Sequence, residues 1–265
     1  MHNNKNIIKT LLTLSPCLAT GTASAAGFIE DSKASLQTSN YYFNRDFRDG
    51  SGQNKREEWA QGFILDLRSG YTQGTLGFGL DAMAMLGLKL DSSPDRTGSG
   101  LLPTHDDGRA ADEFGRVALT AKVRLANSEL KYGTLIPKLP TLQANTGRIL
   151  PQTFDGGLLT SKDIDGLTLT GARFERMTDR DSTNAVGLTL NNKNRRFRTS
   201  ADGDALLIGG VDYALNKQIT LSYQYAELEE VYRQHFLGLT HTLALGPGKL
   251  KSCLLYTSDA ADEED

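Results

Sequence analysis

Cysteine is almost missing: the 265 residues hold only Cys17 and Cys253, too few for a disulfide framework and without the paired spacing of a zinc site. Long apolar runs are missing too. No stretch of about 18 consecutive apolar residues occurs, which excludes a membrane-spanning helix. Neither sign of charge dominates, with 29 Lys and Arg against 32 Asp and Glu. With no basic stripe carrying interleaved aromatics, that balance argues against nucleic acid as a partner. The 7 prolines fall mainly in segments that read as links, so strand interiors are spared. The length suits one large or two ordinary domains.

What is present begins with a leader. MHNNKNIIKTLLTLSPCLATGTASAAG carries Lys5 and Lys9, then Leu11, Leu12, Leu14 and Leu18, then Ala23-Ser24-Ala25. This is the charged, apolar and small-residue order of a secretory signal peptide, expected to occupy residues 1–25, with a mature chain starting near Ala26. Pro16 makes Cys17 a poor lipid-anchor site, and Cys17 reads as a small apolar residue of the leader. At the other end, CLLYTSDAADEED (253–265) breaks every preceding pattern. It resembles the translation of a transposase sequencing adapter, so 26–252 is the expected native portion and 253–265 an artefact. The alternative is a solvated acidic tail.

Between these ends, apolar residues alternate with period two, as in β-strands. In TLGFGLDAMAMLGL (75–88), Leu76, Phe78, Leu80, Ala82, Ala84, Leu86 and Leu88 share one face. In FGRVALTAKVRL (114–125), Val117, Leu119, Ala121, Val123 and Leu125 oppose Arg116, Ala118, Thr120, Lys122 and Arg124. Similar segments are 35–45, 58–68, 128–135, 164–174, 184–191, 205–215, 218–228 and 231–245, about ten strands of membrane-crossing length. Short links at SGYTQG, Ala126-Asn127 and Asn216-Lys217 separate long ones at 46–57, 89–113, 136–163 and 192–204, with Glu229-Glu230 an exception on the long side. Transmembrane barrels place short turns at one end and long loops at the other, whereas a Greek-key sandwich has no reason to.

Trp59, Phe63, Tyr71, Tyr132, Tyr213, Tyr223 and Tyr225 lie mostly toward strand ends, as an interfacial girdle requires, although ordinary core aromatics also fit. Export, link alternation and the lack of a second apolar element to cover the sheet favour an antiparallel transmembrane β-barrel in the outer membrane, with lipid on its apolar face. Lys122 and Arg124 are then lumenal, serving either as anion sites or as charges paired with acidic neighbours. A secreted β-sandwich binding module and an outer-membrane barrel enzyme are the alternatives. No Ser/His/Asp set assembles, so no catalytic residues are assigned. Gly77-Phe78-Gly79 lacks the βαβ setting of a dinucleotide site. His105-Asp106-Asp107 reads as solvated loop, Asp202-Gly203-Asp204 lacks calcium-loop spacing, and His235 and His241 sit on an apolar strand face. No metal or cofactor is expected.

Four stretches, GFIEDSKASLQTSNYYFNRD (27–46), EWAQGFILDLRSGYTQGTLGFGLDAMAMLGLKLD (58–91), GRILPQTFDGG (147–157) and AELEEVYRQHFLG (226–238), together resemble the OprD family of outer-membrane porins, substrate-specific passive channels for small carboxylate-bearing solutes. The resemblance implies a monomeric barrel of about eighteen strands and roughly 400 residues, of which this chain matches the first half or slightly more. It implies a ladder of arginines along one pore wall leading to an eyelet formed partly by an inward-folded link, here KLPTLQANTGRILPQT (138–153). The ladder positions are Arg45 in YYFNRD and Arg56 in KREEW, and Arg148 in GRILPQT matches the constriction arginine. Ser39 stands where relatives carry another arginine, which leaves the ladder's extent open. The implied partners are small anionic or zwitterionic solutes and outer-membrane lipid. A wall of about ten strands cannot close such a barrel, so a curved, partly open sheet is expected.

Overall fold

The computed structural model describes residues 27–48, 52–189, 202–246 and 248–261. The leader expected over 1–25 lies outside the described residues, as do most of the 192–204 link and residues 262–265. The described chain is all-β: β1 (Lys33–Asp46), β2 (Lys55–Arg68), β3 (Leu76–Ser92), β4 (Glu113–Leu125), β5 (Ser128–Leu135), β6 (Thr153–Ser161), β7 (Leu167–Thr178), β8 (Val186–Thr189), β9 (Asp202–Gly203), β10 (Leu206–Ala214), β11 (Ile219–Leu228), β12 (Tyr232–Leu245) and β13 (Gly248–Ala261).

One antiparallel path runs β1-β2-β3-β4-β5-β6-β7-β10-β11-β12-β13, and β8 and β9 leave it as a short excursion beside the end of β7. No pairing joins β1 to β13 among the described residues, so the wall is an open, partial barrel. Residues 253–261, expected as artefact, occupy the outer half of β13, where Cys253 lies opposite Thr240.

Alternation sets the two faces. On β4, Val117 and Leu119 are 73% and 55% exposed, whereas Phe114, Ala118, Thr120 and Lys122 between them are buried. The exposed set continues through Leu65 and Leu67 on β2, Leu76, Phe78, Leu80 and Leu86 on β3, Leu130 and Tyr132 on β5, Leu159 on β6, and Tyr223, Leu237 and Leu239 beyond. A band this apolar on an uncovered face is stable against lipid and costly against water. No second sheet covers it among the described residues, which rules out the sandwich.

The opposite face is lined by links. Leu101 and Leu102 of the β3–β4 link and Ile149 and Leu150 of the β5–β6 link pack with Ala60, Met85, Phe114 and Ala118 of the wall. Gly62 and Gly87 permit this: a Cβ on Gly62 would lie 2.9 Å from the Ile149 Cβ, and one on Gly87 the same distance from its Cδ1. A second cluster holds Ala144 of the β5–β6 link against Phe154, Phe174, Leu206, Ile208 and Ala226.

Two expectations change. The segment 136–163 is not one link: its last part forms β6, which makes long and short connections alternate along the path up to β11. The 184–191 segment does not join the path of wall strands: among the described residues Val186–Thr189 pairs as a short strand with the end of β7 and with β9.

Candidate functional site

At the long-link end of the inward face, β1 presents Tyr41, Phe43 and Arg45, and the antiparallel register sets Arg45 directly opposite Arg56 of β2. Like charges in that relation repel. The Phe47 ring lies between them, its centroid 5.1 Å from the Arg45 guanidinium carbon and 5.6 Å from that of Arg56. Arg148 arrives from the β5–β6 link because Ile149 and Leu150 anchor it in the wall cluster. Its guanidinium stands over Phe43 at 5.0 Å and Tyr41 at 5.6 Å. Its Nη1 donates to the Gly147 carbonyl at 2.8 Å and to the Tyr41 hydroxyl at 3.5 Å, and its Nη2 donates to the Ser99 carbonyl at 3.3 Å. Among the described residues, Arg45, Arg56 and Arg148 have no carboxylate oxygen within 4.0 Å. Aromatic faces and carbonyls hold these cations without cancelling their charge.

Lys122 and Arg124 stand at the other end of the wall, beside the short turns, in a different setting. Lys122 is buried; its Nζ lies 2.5 Å from Asp81 Oδ1 and donates to the Ser69 carbonyl at 2.7 Å. Tyr71 packs under both cations, 5.0 Å from Lys122 and 4.3 Å from Arg124, and its hydroxyl donates to Glu129. Burial, helped by that bond, pushes the Tyr71 hydroxyl pKa upward, so it stays a donor. Tyr71 therefore faces the lumen and is not part of an outward aromatic girdle. The structure thus brings Arg45, Arg56 and Arg148 together and keeps Lys122 and Arg124 apart from them.

Three neighbours of the arginine group had no motif to announce them. Arg180, in the link after β7, donates to Asn145 at 3.3 Å, and its Nη2 lies 3.3 Å from where a Cβ on Gly100 would be. Arg116 on β4 is held by the carbonyls of Asp179, Ser182 and Pro151. Glu58, 0% exposed on β2, accepts from Ser99. The inward phase of β2, which carries Arg56, also carries Glu58, and that was the available signal. Among the described residues no group of three or more His, Cys, Asp or Glu side chains could hold a metal ion.

A one-sheet wall with lipid on one side, and with folded links and unpaired guanidiniums on the other, defines the class: an outer-membrane β-barrel porin. The family described as outer membrane porin, OprD family, matches residues 26–265, and the chain belongs to it. It is 41% identical over 254 residues to the porin-like protein GalP of Pseudomonas putida, covering 94% of this chain and 61% of GalP. Among solved structures it resembles Pseudomonas aeruginosa OccK9 (TM-score 0.83, 45% identity) and P. aeruginosa OpdK with vanillate (TM-score 0.80, 42% identity), in each case over 89% of this chain and 60% of the other. The chain thus spans about three fifths of the length of these proteins. The family is one of channels, not enzymes.

Proposed function

We propose that the barrel to which this chain contributes is a passive channel for small carboxylate-bearing solutes, anionic or zwitterionic, and that Arg45, Arg56 and Arg148 form the part of its arginine ladder carried here. The observation that carries the proposal is the absence of a carboxylate partner at these guanidiniums among the described residues. A guanidinium stays charged at any physiological pH and pairs with a carboxylate through two parallel hydrogen bonds. Several weak sites in a row admit an anion without trapping it, and the low-dielectric wall raises its local concentration. The vanillate in the OpdK structure is a carboxylate and fits this chemistry. Arg124 extends the ladder to the short-turn mouth, while Lys122 sits there with its charge neutralised by Asp81. The channel functions as a single barrel, its outward leucines, valines and tyrosines facing lipid. Residues 1–25 serve as the export leader and 253–265 are foreign to the gene, a reading tested by sequencing across the Ser252-Cys253 junction.

Planar-bilayer recording on the full-length channel tests the function. Arg45→Ala and Arg148→Ala should each lower the anion-to-cation permeability ratio and shorten blockade by benzoate about tenfold, the loss expected when a charged hydrogen-bonded contact worth about 1.4 kcal/mol is removed. A conductance indifferent to both substitutions would refute the assignment.

A further inference from the structure

We infer that Glu58 is a positioning residue of the constriction: its buried carboxyl clamps the Gly98-Ser99-Gly100 turn, and that turn fixes where Arg148 stands. The inference rests on Arg148 being a carboxylate site.

Glu58 occupies an inward position of β2 and is wholly buried. Its Oε2 accepts both the backbone N–H of Ser99, at 2.9 Å, and the Ser99 hydroxyl. Its Oε1 is buried with no hydrogen-bond partner among the described residues, and no Lys, Arg or His nitrogen of those residues lies within 4.0 Å. Burying a carboxyl with half its acceptors idle is costly, and an apolar side chain would fill the space more cheaply. The group is therefore best explained by what it holds.

What it holds is a turn built on two glycines. Gly98 and Gly100 flank Ser99 with φ of 84° and 73°, a left-handed backbone that a residue with a Cβ resists. Ser99 Oγ also accepts from the Leu101 N–H at 3.1 Å, and Leu101 and Leu102 are buried in the wall cluster. The far side of the turn faces cations. The Ser99 carbonyl accepts from Arg148 Nη2. A Cβ on Gly98 would lie 3.6 Å from Arg56 Nε, and one on Gly100 3.3 Å from Arg180 Nη2. Of the other Arg148 acceptors, Gly147 is its own chain neighbour and the Tyr41 hydroxyl is at 3.5 Å. The Ser99 carbonyl is thus the backbone acceptor that ties Arg148 to a different link, and Glu58 fixes that carbonyl from beneath.

The test is a double-mutant cycle in the full-length channel, read as benzoate dwell time in planar bilayers. Glu58→Ala should shorten the dwell about three- to tenfold on the parent and by less than about twofold on Arg148→Ala, because residues acting through one group do not add. Glu58→Gln keeps an acceptor oxygen for the Ser99 donors and should stay within about twofold of the parent. Ser99→Ala fits the same space and gives the second measurement should Glu58→Ala fail to insert: a dwell about threefold shorter on the parent and unchanged on Arg148→Ala. Parental dwell in Glu58→Ala or Ser99→Ala alongside a shortened Arg148→Ala dwell overturns the clamp alone. So does full additivity, or a Glu58→Gln loss equal to that of Glu58→Ala, which would mark an effect of charge. An unchanged Arg148→Ala dwell overturns the clamp together with the assignment of Arg148 as a carboxylate site.

Discussion

Lys122 and Arg148 are both cations of the inward face, yet their surroundings give them opposite roles. Lys122 is spent on Asp81 and the Ser69 carbonyl, so its field largely cancels. Replacing the pair together, Lys122→Met with Asp81→Asn, should leave the anion-to-cation permeability ratio within about twofold of the parent, unlike Arg148→Ala. Asp81→Asn alone should act on stability, since removing one partner strands a buried ammonium at a cost of about 3 kcal/mol. Denaturant titration of the full-length barrel in detergent micelles measures that cost, and reversal potentials measure the selectivity. A large selectivity loss in the double variant would put Lys122 in the solute's path. The sequence left two readings of Lys122 open, an anion site or a charge paired with an acidic neighbour, because alternation puts it on the polar phase of β4 without naming its neighbours. The carboxylate that distinguishes them, Asp81, lies on a neighbouring strand that only the register brings close.

Among elements, the β4–β5 hairpin makes a specific demand. Its two-residue link, Ala126-Asn127, turns the chain with φ of 51° at Ala126, a left-handed position that costs an alanine roughly 1–2 kcal/mol. Glycine removes that strain and loses roughly 0.5–1 kcal/mol to chain entropy. Ala126→Gly should therefore stabilise the barrel by about 0.5 kcal/mol, seen as a higher midpoint in the same titration; a lower midpoint would mean the turn is not strained. This hairpin was legible from residues 114–135 because both strands alternate without interruption. β6 was not. Its TFDGGLLTS carries a glycine pair and a register shift at Asp155/Gly156. Phe154 and Leu158 pack inward on a link cluster while Leu159 faces out. Where links cover the wall, its inward face becomes apolar and the period-two signal fades. The arginines were legible by resemblance to short motifs. Glu58, Ser99 and Arg180 were not, because their meaning arises from links meeting in space.

For the whole molecule, the feature that matters is an apolar face with nothing to cover it and a sheet path with two unpaired ends among the described residues. Backbone groups left open in lipid cost several kcal/mol each, so this 265-residue chain should need detergent to remain dispersed and should give no steady conductance when refolded into bilayers. Sedimentation with and without detergent, followed by bilayer recording, checks both; a well-behaved channel from this chain alone would show that the wall closes in a way the sheet path does not. The face assignment was legible early, since alternation gives two faces and export favours lipid for the greasy one.

The β5–β6 link, seated on Gly62 and Gly87 through Ile149, carries a consequence for how such conduits diversify. On the proposed reading, the passage is bounded in part by a sleeve of non-spanning chain, which brings Arg148, pressed onto staves that carry Arg45 and Arg56. Exchanging residues in that sleeve should then retune what passes, while the cylinder that must survive insertion into the envelope stays as it was.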